Sequence, residues 1–380
     1  MAAAGPGTYL VDSWASASES SGSEDDEWMK ESQSRVNLSN SNLSSDILDL
    51  HITSMMTMGE PCLFFQVTHL KLDNNLLRDI PEILGNLTSL TCLDLSNNSI
   101  SQVGDSVINL TALNKLILRN NELSEEGLPK DMIALRNLKT LNLSGNRLTC
   151  VPPQLLDLAG LRNLFLGANQ ITEITPAINR LRRLRLLYLG GNQLETLPHE
   201  IGDLKQMHVL LLSDNKLRRL PESICSLRKL QCLQLHRNCL TTLPHGLIHV
   251  KSLAELSLRE NPLVMRFIRD MEYQPASLLE IAGRVVKQNK IPYEDNDLPA
   301  SLHSYLTCAH ECVNPSCRGV YFDHRVEHVK FSDFCGKYKV PLLQYLCSPR
   351  CREQLPEYRD CEVEDELAEK SQRLKRVLLG

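Results

Sequence analysis

Apolar residues recur along the middle of the chain in one fixed pattern. Segments of the form L-x-x-L-x-L-x-x-N-x-L occur nine times, with their Asn at Asn75, Asn98, Asn121, Asn146, Asn169, Asn192, Asn215, Asn238 and Asn261. Every interval is 23 residues except that from Asn121 to Asn146, where EEGLPKDM lengthens it to 25. The alternation within each segment predicts a short strand with its two central Leu turned inward. The stretches that follow, such as IPEILGNLTSL and LPESICSLRKL, predict returns that close with Pro and bury two or three more aliphatics. One such unit cannot cover its own apolar face, so stacking must supply a continuous core. The Asn amides are predicted to bond the backbone of their own turn and of a neighbour, a structural role with no catalytic weight.

The pattern resembles the leucine-rich-repeat signature. It predicts an α/β fold: a horseshoe solenoid of about nine 23-residue repeats over 67–263. Upstream, RVNLSNSNLSSDIL places Val36, Leu38 and Leu43 in repeat slots and Ser41 in the Asn slot, so 33–66 reads as a degenerate N-terminal cap. Residues 1–32, with SESSGSEDDEW as the densest stretch, are too polar to offset chain entropy and read as a disordered acidic tail. Ser21 and Ser23 there each have an acid three positions on, which acid-directed kinases favour. After Leu263 the period stops. A second, small helical and Cys-rich domain is predicted: a helical segment over 264–310, a Cys-rich module over 311–351, then a charged tail over 352–380 that could form a short helix.

Composition sharpens this picture. The chain has 380 residues, 42% hydrophobic but only 5% aromatic, so its cores are expected to be aliphatic. Between Val67 and Leu263 the aromatics are Phe165 and Tyr188 alone, whereas ten more fall between Phe267 and Tyr345. A net charge of −5 argues against bulk electrostatic binding of nucleic acid. No apolar run is long enough to span a membrane. The N-terminus lacks a secretory signal, so the 13 cysteines are expected to be reduced thiols in the cytoplasm, or equally the nucleus, either buried or holding metal. No Gly-rich phosphate loop, nucleophile elbow or His–Glu metal pair points to an enzyme. His324 and His328 are four apart, but the alternation in VYFDHRVEHVKF suits a strand, which would separate them.

Three motifs follow the repeats. In PASLLEIAGRVV, Pro275 precedes a Ser277 cap, with Glu280 three residues on completing a capping box. Leu278, Ala282 and Val286 then share one helical face beside Ile281 and Val285. That face suits a hydrophobic groove on a partner, or equally the end of the solenoid. DLPASLHSYL sets Leu298 and Pro299 before a second face made of Leu302, Tyr305 and Leu306. CVNPSC and CSPRC supply Cys312, Cys317, Cys347 and Cys351, two Cys pairs on Pro-bearing turns that could surround one structural Zn ion. Cys308, His310 and Cys335 stand in reserve, and buried free thiols are the alternative.

The first two motifs resemble an elongin-C-binding (BC) box followed by the cullin-recognising half of a suppressor-of-cytokine-signalling (SOCS) box, with Ala282 where a Cys is usual. Together with NPLVMRFIRDMEY, CVNPSCRGVYF, KFSDFCGKYKVPLLQYLCSPRC and RVLLG, they make the chain similar to the leucine-rich repeat-containing protein 58 family. The resemblance implies a non-catalytic substrate receptor of a cullin–RING ubiquitin ligase. Ser277, Leu278, Ala282 and Val286 would meet elongin C, itself paired with elongin B. Leu298, Pro299, Leu302, Tyr305 and Leu306 would meet cullin-5 or cullin-2 with its RING protein. A plain signalling scaffold is the competing expectation.

A protein client would bind the concave face. The slot between the two core Leu holds Phe165, Tyr188 and Leu211 in consecutive repeats, with Leu186 and Val209 in the adjacent slot. These five are expected to be exposed, with Gly167, Ala168, Gly190 and Gly191 admitting a partner's backbone. Arg162, Arg185, His208, His236 and Arg237 are expected to rim the patch. The opposing expectation is that the apolar side chains cover one another or a folded-back tail.

Overall fold

The computed structural model describes residues 34–58, 66–263, 276–294, 297–317, 319–334, 338–353 and 376–378. The tail with Ser21 and Ser23, Pro275, Cys335 and most of 352–380 lie outside the described residues. Each repeat contributes one three-residue parallel strand, and the strands stack in chain order. They are β1 (Arg35–Asn37), β2 (His69–Lys71), β3 (Cys92–Asp94), β4 (Lys115–Ile117), β5 (Thr140–Asn142) and β6 (Asn163–Phe165). The row continues through β7 (Leu186–Tyr188), β8 (Val209–Leu211), β9 (Cys232–Gln234) and β11 (Glu255–Ser257). The register matches slot to slot, Leu70 beside Leu93 beside Leu116. The inward Leu of every described repeat are buried in one continuous core, and short 3-10 helices such as Glu82–Asn86 and Glu222–Ser226 close the returns.

The Asn ladder forms as its spacing predicts. Asn98 Nδ2 donates to the carbonyls of Leu72 (3.0 Å) and Leu95 (3.1 Å), and its Oδ1 accepts from Leu77 N at 3.0 Å. Each amide thus joins its own turn to the preceding repeat. The residue before each ladder Asn turns the chain with φ between 52° and 71°, from Asn74 through Glu260. Asn and Gly occupy most of these left-handed positions, which L side chains otherwise resist. The strand β1 seals the N-terminal edge by pairing with β2, Val36 opposite Leu70. Helix α1 (Ser45–Met58) then covers the first repeat with Leu48 and Ile52. Ser41, in the Asn slot, donates its own N–H to Asn75 Oδ1 at 3.0 Å.

Beyond the array lie helices α2 (Leu278–Gln288) and α3 (Ala300–Thr307) and the small hairpin β12 (His310–Glu311) and β13 (Val320–Tyr321). A long hairpin follows, β14 (Val326–Phe334) and β15 (Tyr338–Leu346), and then helix α4 (Pro349–Glu353). Residues 326–334 are indeed a strand, as the alternation predicts. The strand β15 also pairs in parallel with β10 (Leu243–Pro244) in the return of the penultimate repeat. Val340 and Leu342 are fully buried in the same core as the repeats, and Arg219 reaches Glu327 at 2.9 Å. At the far edge, β16 (Arg376–Leu378) adds to β11 with Val377 opposite Leu256. This end of the tail is a strand where a short helix was expected, because the last repeat leaves a row of unpaired backbone groups that an extended segment satisfies.

Candidate docking helix and cysteine cluster

Helix α2 starts where its sequence predicts, with Ser277 Oγ accepting from Glu280 N at 3.2 Å. The Glu280 carboxylate does not return to the cap as a capping box requires. It is fully buried and accepts from the N–H groups of Phe322 (2.9 Å), Asp323 (3.0 Å) and His324 (3.3 Å). Arg284, one turn on, pairs with it at 2.6 Å, and the Tyr305 hydroxyl donates to it at 3.2 Å. Burial works to raise its pKa, but the Phe322 N–H, the Arg284 guanidinium and the His324 and Asp323 N–H groups outweigh it and hold it at about 2. Gly283 sits on the same inward face, where a Cβ would lie 2.9 Å from Phe322 and 3.3 Å from Tyr305.

The charged side of α2 therefore faces in and its apolar side faces out. Leu278 is 85% exposed, and Leu279, Ile281 and Val285 are each nearly half exposed. Ala282 lies on the open face and Val286 is half-buried at its margin. This reverses the usual arrangement of a surface helix, and among the described residues this face does not cap the solenoid.

Helix α3 divides the second motif. Pro299 is exposed, and Leu298 and Leu302 are half-buried at the surface. Tyr305 and Leu306, expected to face a cullin, are instead turned inward. The Tyr305 ring stacks on Phe322 with centroids 4.5 Å apart, and Leu306 is buried. Burial and the neighbouring Glu280 push the Tyr305 hydroxyl up to about 12. Sequence reasoning missed Arg284 and the second role of Glu280, and a charged pair four apart within the apolar run LLEIAGRVV was the available signal.

Cys312, Cys317, Cys347 and Cys351 converge, with their sulfurs all within 4.8 Å of one another. The Cys317–Cys347 and Cys347–Cys351 sulfurs are 3.5 Å and 3.4 Å apart, too far for disulfides and near the separation that tetrahedral thiolates hold around one zinc. Cys347 N donates to the Cys312 sulfur, and the Ser348 hydroxyl donates to that of Cys351, both at 3.4 Å. A Cβ on Gly319 would stand 2.7 Å from the Cys347 sulfur, so glycine keeps the cradle open. Burial and the Cys351 and Cys317 thiols push the Cys347 thiol up, the protonation a bound cation would reverse. The reserve residues Cys308 and His310 are exposed and outside this group.

On the concave face the apolar patch exists but is not exposed. Phe165, Leu186, Val209 and Leu211 are each no more than 5% exposed and form a cluster with Cys232, against which half-buried Tyr188 packs. Gly167 and Gly190 do not await a partner's backbone, since the Tyr188 ring occupies both spaces, 2.2 Å and 2.7 Å from where their Cβ atoms would stand. Curvature brings neighbouring strands' side chains into mutual contact, so that they cover one another, as the opposing expectation has it. Cys232 was missed, although it holds the same slot as Leu186 and Val209. Of the rim, Arg162 and Arg185 are exposed and His208 is half-buried. Arg237 is engaged with Glu260 (3.0 Å) and Asp214 (3.3 Å), and half-buried His236 lies 3.9 Å from Asp214.

Comparison with known proteins agrees with the stacked strands and the Asn ladder. The family described as leucine-rich repeat region matches residues 173–272, and two further leucine-rich-repeat families match 136–194 and 89–110. The chain carries the leucine-rich-repeat solenoid fold over its stacked strands. It is similar to leucine-rich repeat-containing protein 58 of Xenopus laevis, 49% identical over 121 residues that make up 31% of this chain and 35% of that one. The Xenopus tropicalis protein of the same name is 58% identical over 91 residues, 24% of this chain and 26% of that one. The Homo sapiens protein is 56% identical over 88 residues, 23% of this chain and 24% of that one. The chain thus spans about a third or less of the curated relatives it matches. Among solved structures, a leucine-rich-repeat protein of Leptospira interrogans is 34% identical with a TM-score of 0.46, covering 53% of this chain and 58% of that one. No helix of the described residues is long and apolar enough to cross a membrane.

Proposed function

We propose that this leucine-rich-repeat protein is a non-catalytic substrate receptor of an elongin BC–cullin–RING ubiquitin ligase, acting in a reducing compartment. The observation that carries the reading is the outward apolar face of α2. A helix that buries Glu280 and Arg284 while leaving Leu278 in solvent is poised to meet a partner rather than its own core. Elongin C would take Leu278, Ala282 and Val286, and a cullin would approach along Leu298, Pro299 and Leu302. The array would hold a protein client near Arg162 and Arg185, beside the Tyr188 cluster. Ubiquitin transfer belongs to the recruited machinery and proceeds by proximity. In this reading Cys312, Cys317, Cys347 and Cys351 hold a structural zinc, which organises a module with little apolar core of its own.

The test is affinity purification of the full chain and of Leu278→Asp, followed by mass spectrometry. Elongin C should accompany the wild type and be absent from the variant. Its absence from both refutes the reading. A set of partners that survives Leu278→Asp unchanged would favour a signalling scaffold.

A further inference from the structure

Besides Tyr305 of α3, the inner face of α2 is met by the segments that carry the four cysteines and by the backbone just after them. Glu280 accepts from the backbone of residues 322–324, which directly follow β13. That strand pairs with β12, and Cys312 N donates to Gly319 O at 2.9 Å, so both flank the turn holding Cys312 and Cys317. Arg284 Nη1 donates to the carbonyl of Cys347 itself at 2.6 Å, and Nη2 to the carbonyl of His324. Farther along, the Gln288 amide lies 3.3 Å from the Cβ position of Gly319, the glycine that clears space for two of the sulfurs.

The strand β15 runs up to Leu346, just before Cys347, and is anchored in the repeat core through Val340 and Leu342, but the turn of Cys312 and Cys317 and the start of α4 have little else to hold them. Their apolar cluster consists of Tyr321, Val326, Leu346, Cys347 and Cys351, with Cys312, Cys317 and Tyr345 against it, so half its members are the thiols themselves. Asn314 contributes one buried tie, its Nδ2 to Cys351 O at 3.0 Å. Four uncharged thiols give weak cohesion, whereas four thiolates on one tetrahedral cation join the two Cys-bearing turns at four points at once.

We infer that a zinc ion bound by Cys312, Cys317, Cys347 and Cys351 is the clasp that keeps α2 turned apolar side out. Docking of a protein on Leu278 then requires metal beneath the opposite face of the helix. The docking half rests on the function proposed above, while the clasp itself is a property of the chain alone. Loss of the ion releases Cys347 O and the 322–324 backbone together. Glu280 and Arg284 then lose their partners, and the helix is free to turn its apolar side inward.

The experiment uses the purified full chain, zinc-loaded, stripped with a chelator, and reloaded. Hydrogen exchange over 278–288 and capture of purified elongin BC are measured on each. Loaded protein should contain one equivalent of zinc; stripping should speed exchange over α2 at least tenfold and weaken capture at least tenfold, and reloading should restore both. Exchange in β3–β8 should not change, which separates clasp loss from global unfolding. Arg284→Gln leaves the cysteines intact, so it should retain zinc yet show the same fast exchange. The inference is overturned if stripped protein keeps α2 protected, if Arg284→Gln does so, or if isolated protein with α2 protected holds less than a tenth of an equivalent. If loaded wild type never captures elongin BC, the proposed function fails, while the exchange measurements still decide the clasp.

Discussion

Arg284 donates through Nη1 to the backbone carbonyl of Cys347, 2.6 Å away and 63 residues on in the chain. The same guanidinium holds Glu280 at 2.6 Å within its own helix. One side chain therefore ties the exposed helix to the cysteine cluster, and its hold depends on the carboxylate it pairs with. Glu280→Gln removes the charge that Arg284 and three N–H groups were arranged to meet. The variant should loosen α2 by about 3 kcal/mol, the scale for breaking a buried ion pair. Hydrogen exchange over 278–288, compared with the array in the same sample, measures it.

Acid should reproduce that loss. The folded-state pKa of Glu280, about 2, lies below its ordinary value of 4.5, so its stabilisation is fully present above pH 4.5 and is lost as pH falls through 2. The Tyr305–Phe322 stack should report this as a near-ultraviolet dichroism change in that window. Glu280→Gln should lack that component.

Leu278→Asp should separate docking from stability. Because Leu278 is 85% exposed, the substitution should change unfolding free energy by no more than about 0.5 kcal/mol. A large shift in urea midpoint would mean that the side chain packs within the chain after all.

Gly283→Ala should run against helix propensity. In an open helix the change adds about 1 kcal/mol, but here the new Cβ would meet the Phe322 ring at 2.9 Å. A net loss of about 1–3 kcal/mol is expected from overpacking. It is read as faster exchange over α2 at unchanged stability of the array.

Gly167→Ala tests the concave cluster. Its Cβ would fall 2.2 Å from Tyr188 Cε1, so the ring must leave its place over the two glycines. Tyr188→Ala should destabilise the array by about 2 kcal/mol through lost packing, and Gly167→Ala by a similar amount. Equal unfolding midpoints for wild type and both variants would show that the ring contributes nothing there.

The repeats were fully legible because nine copies in register state their own boundaries, and the Asn ladder followed from one amide per turn. The orientation of α2 was not. Periodicity shows that Leu278, Ala282 and Val286 share a face, yet it is silent on whether that face points to the core. Glu280 and Arg284 decide this through partners some forty to sixty residues away. The same limit misplaced Tyr305 and Leu306, whose surroundings come from Phe322 and the neighbouring hairpin. At Phe165 and Tyr188 the slot was right and the exposure wrong, because strand counting fixes direction while curvature fixes crowding.

The pairing of Leu243 and Pro244 with Leu342 and Leu343 makes the array and the C-terminal hairpin share backbone as well as core. Any partner on the concave strands and any partner on α2 are therefore held at a separation set by packed structure rather than by a tether. A linker of variable reach spreads two guests over many distances, whereas this join admits one. In the proposed function the chain would act as a measuring frame, the size of a client on one side deciding what can be reached from the other.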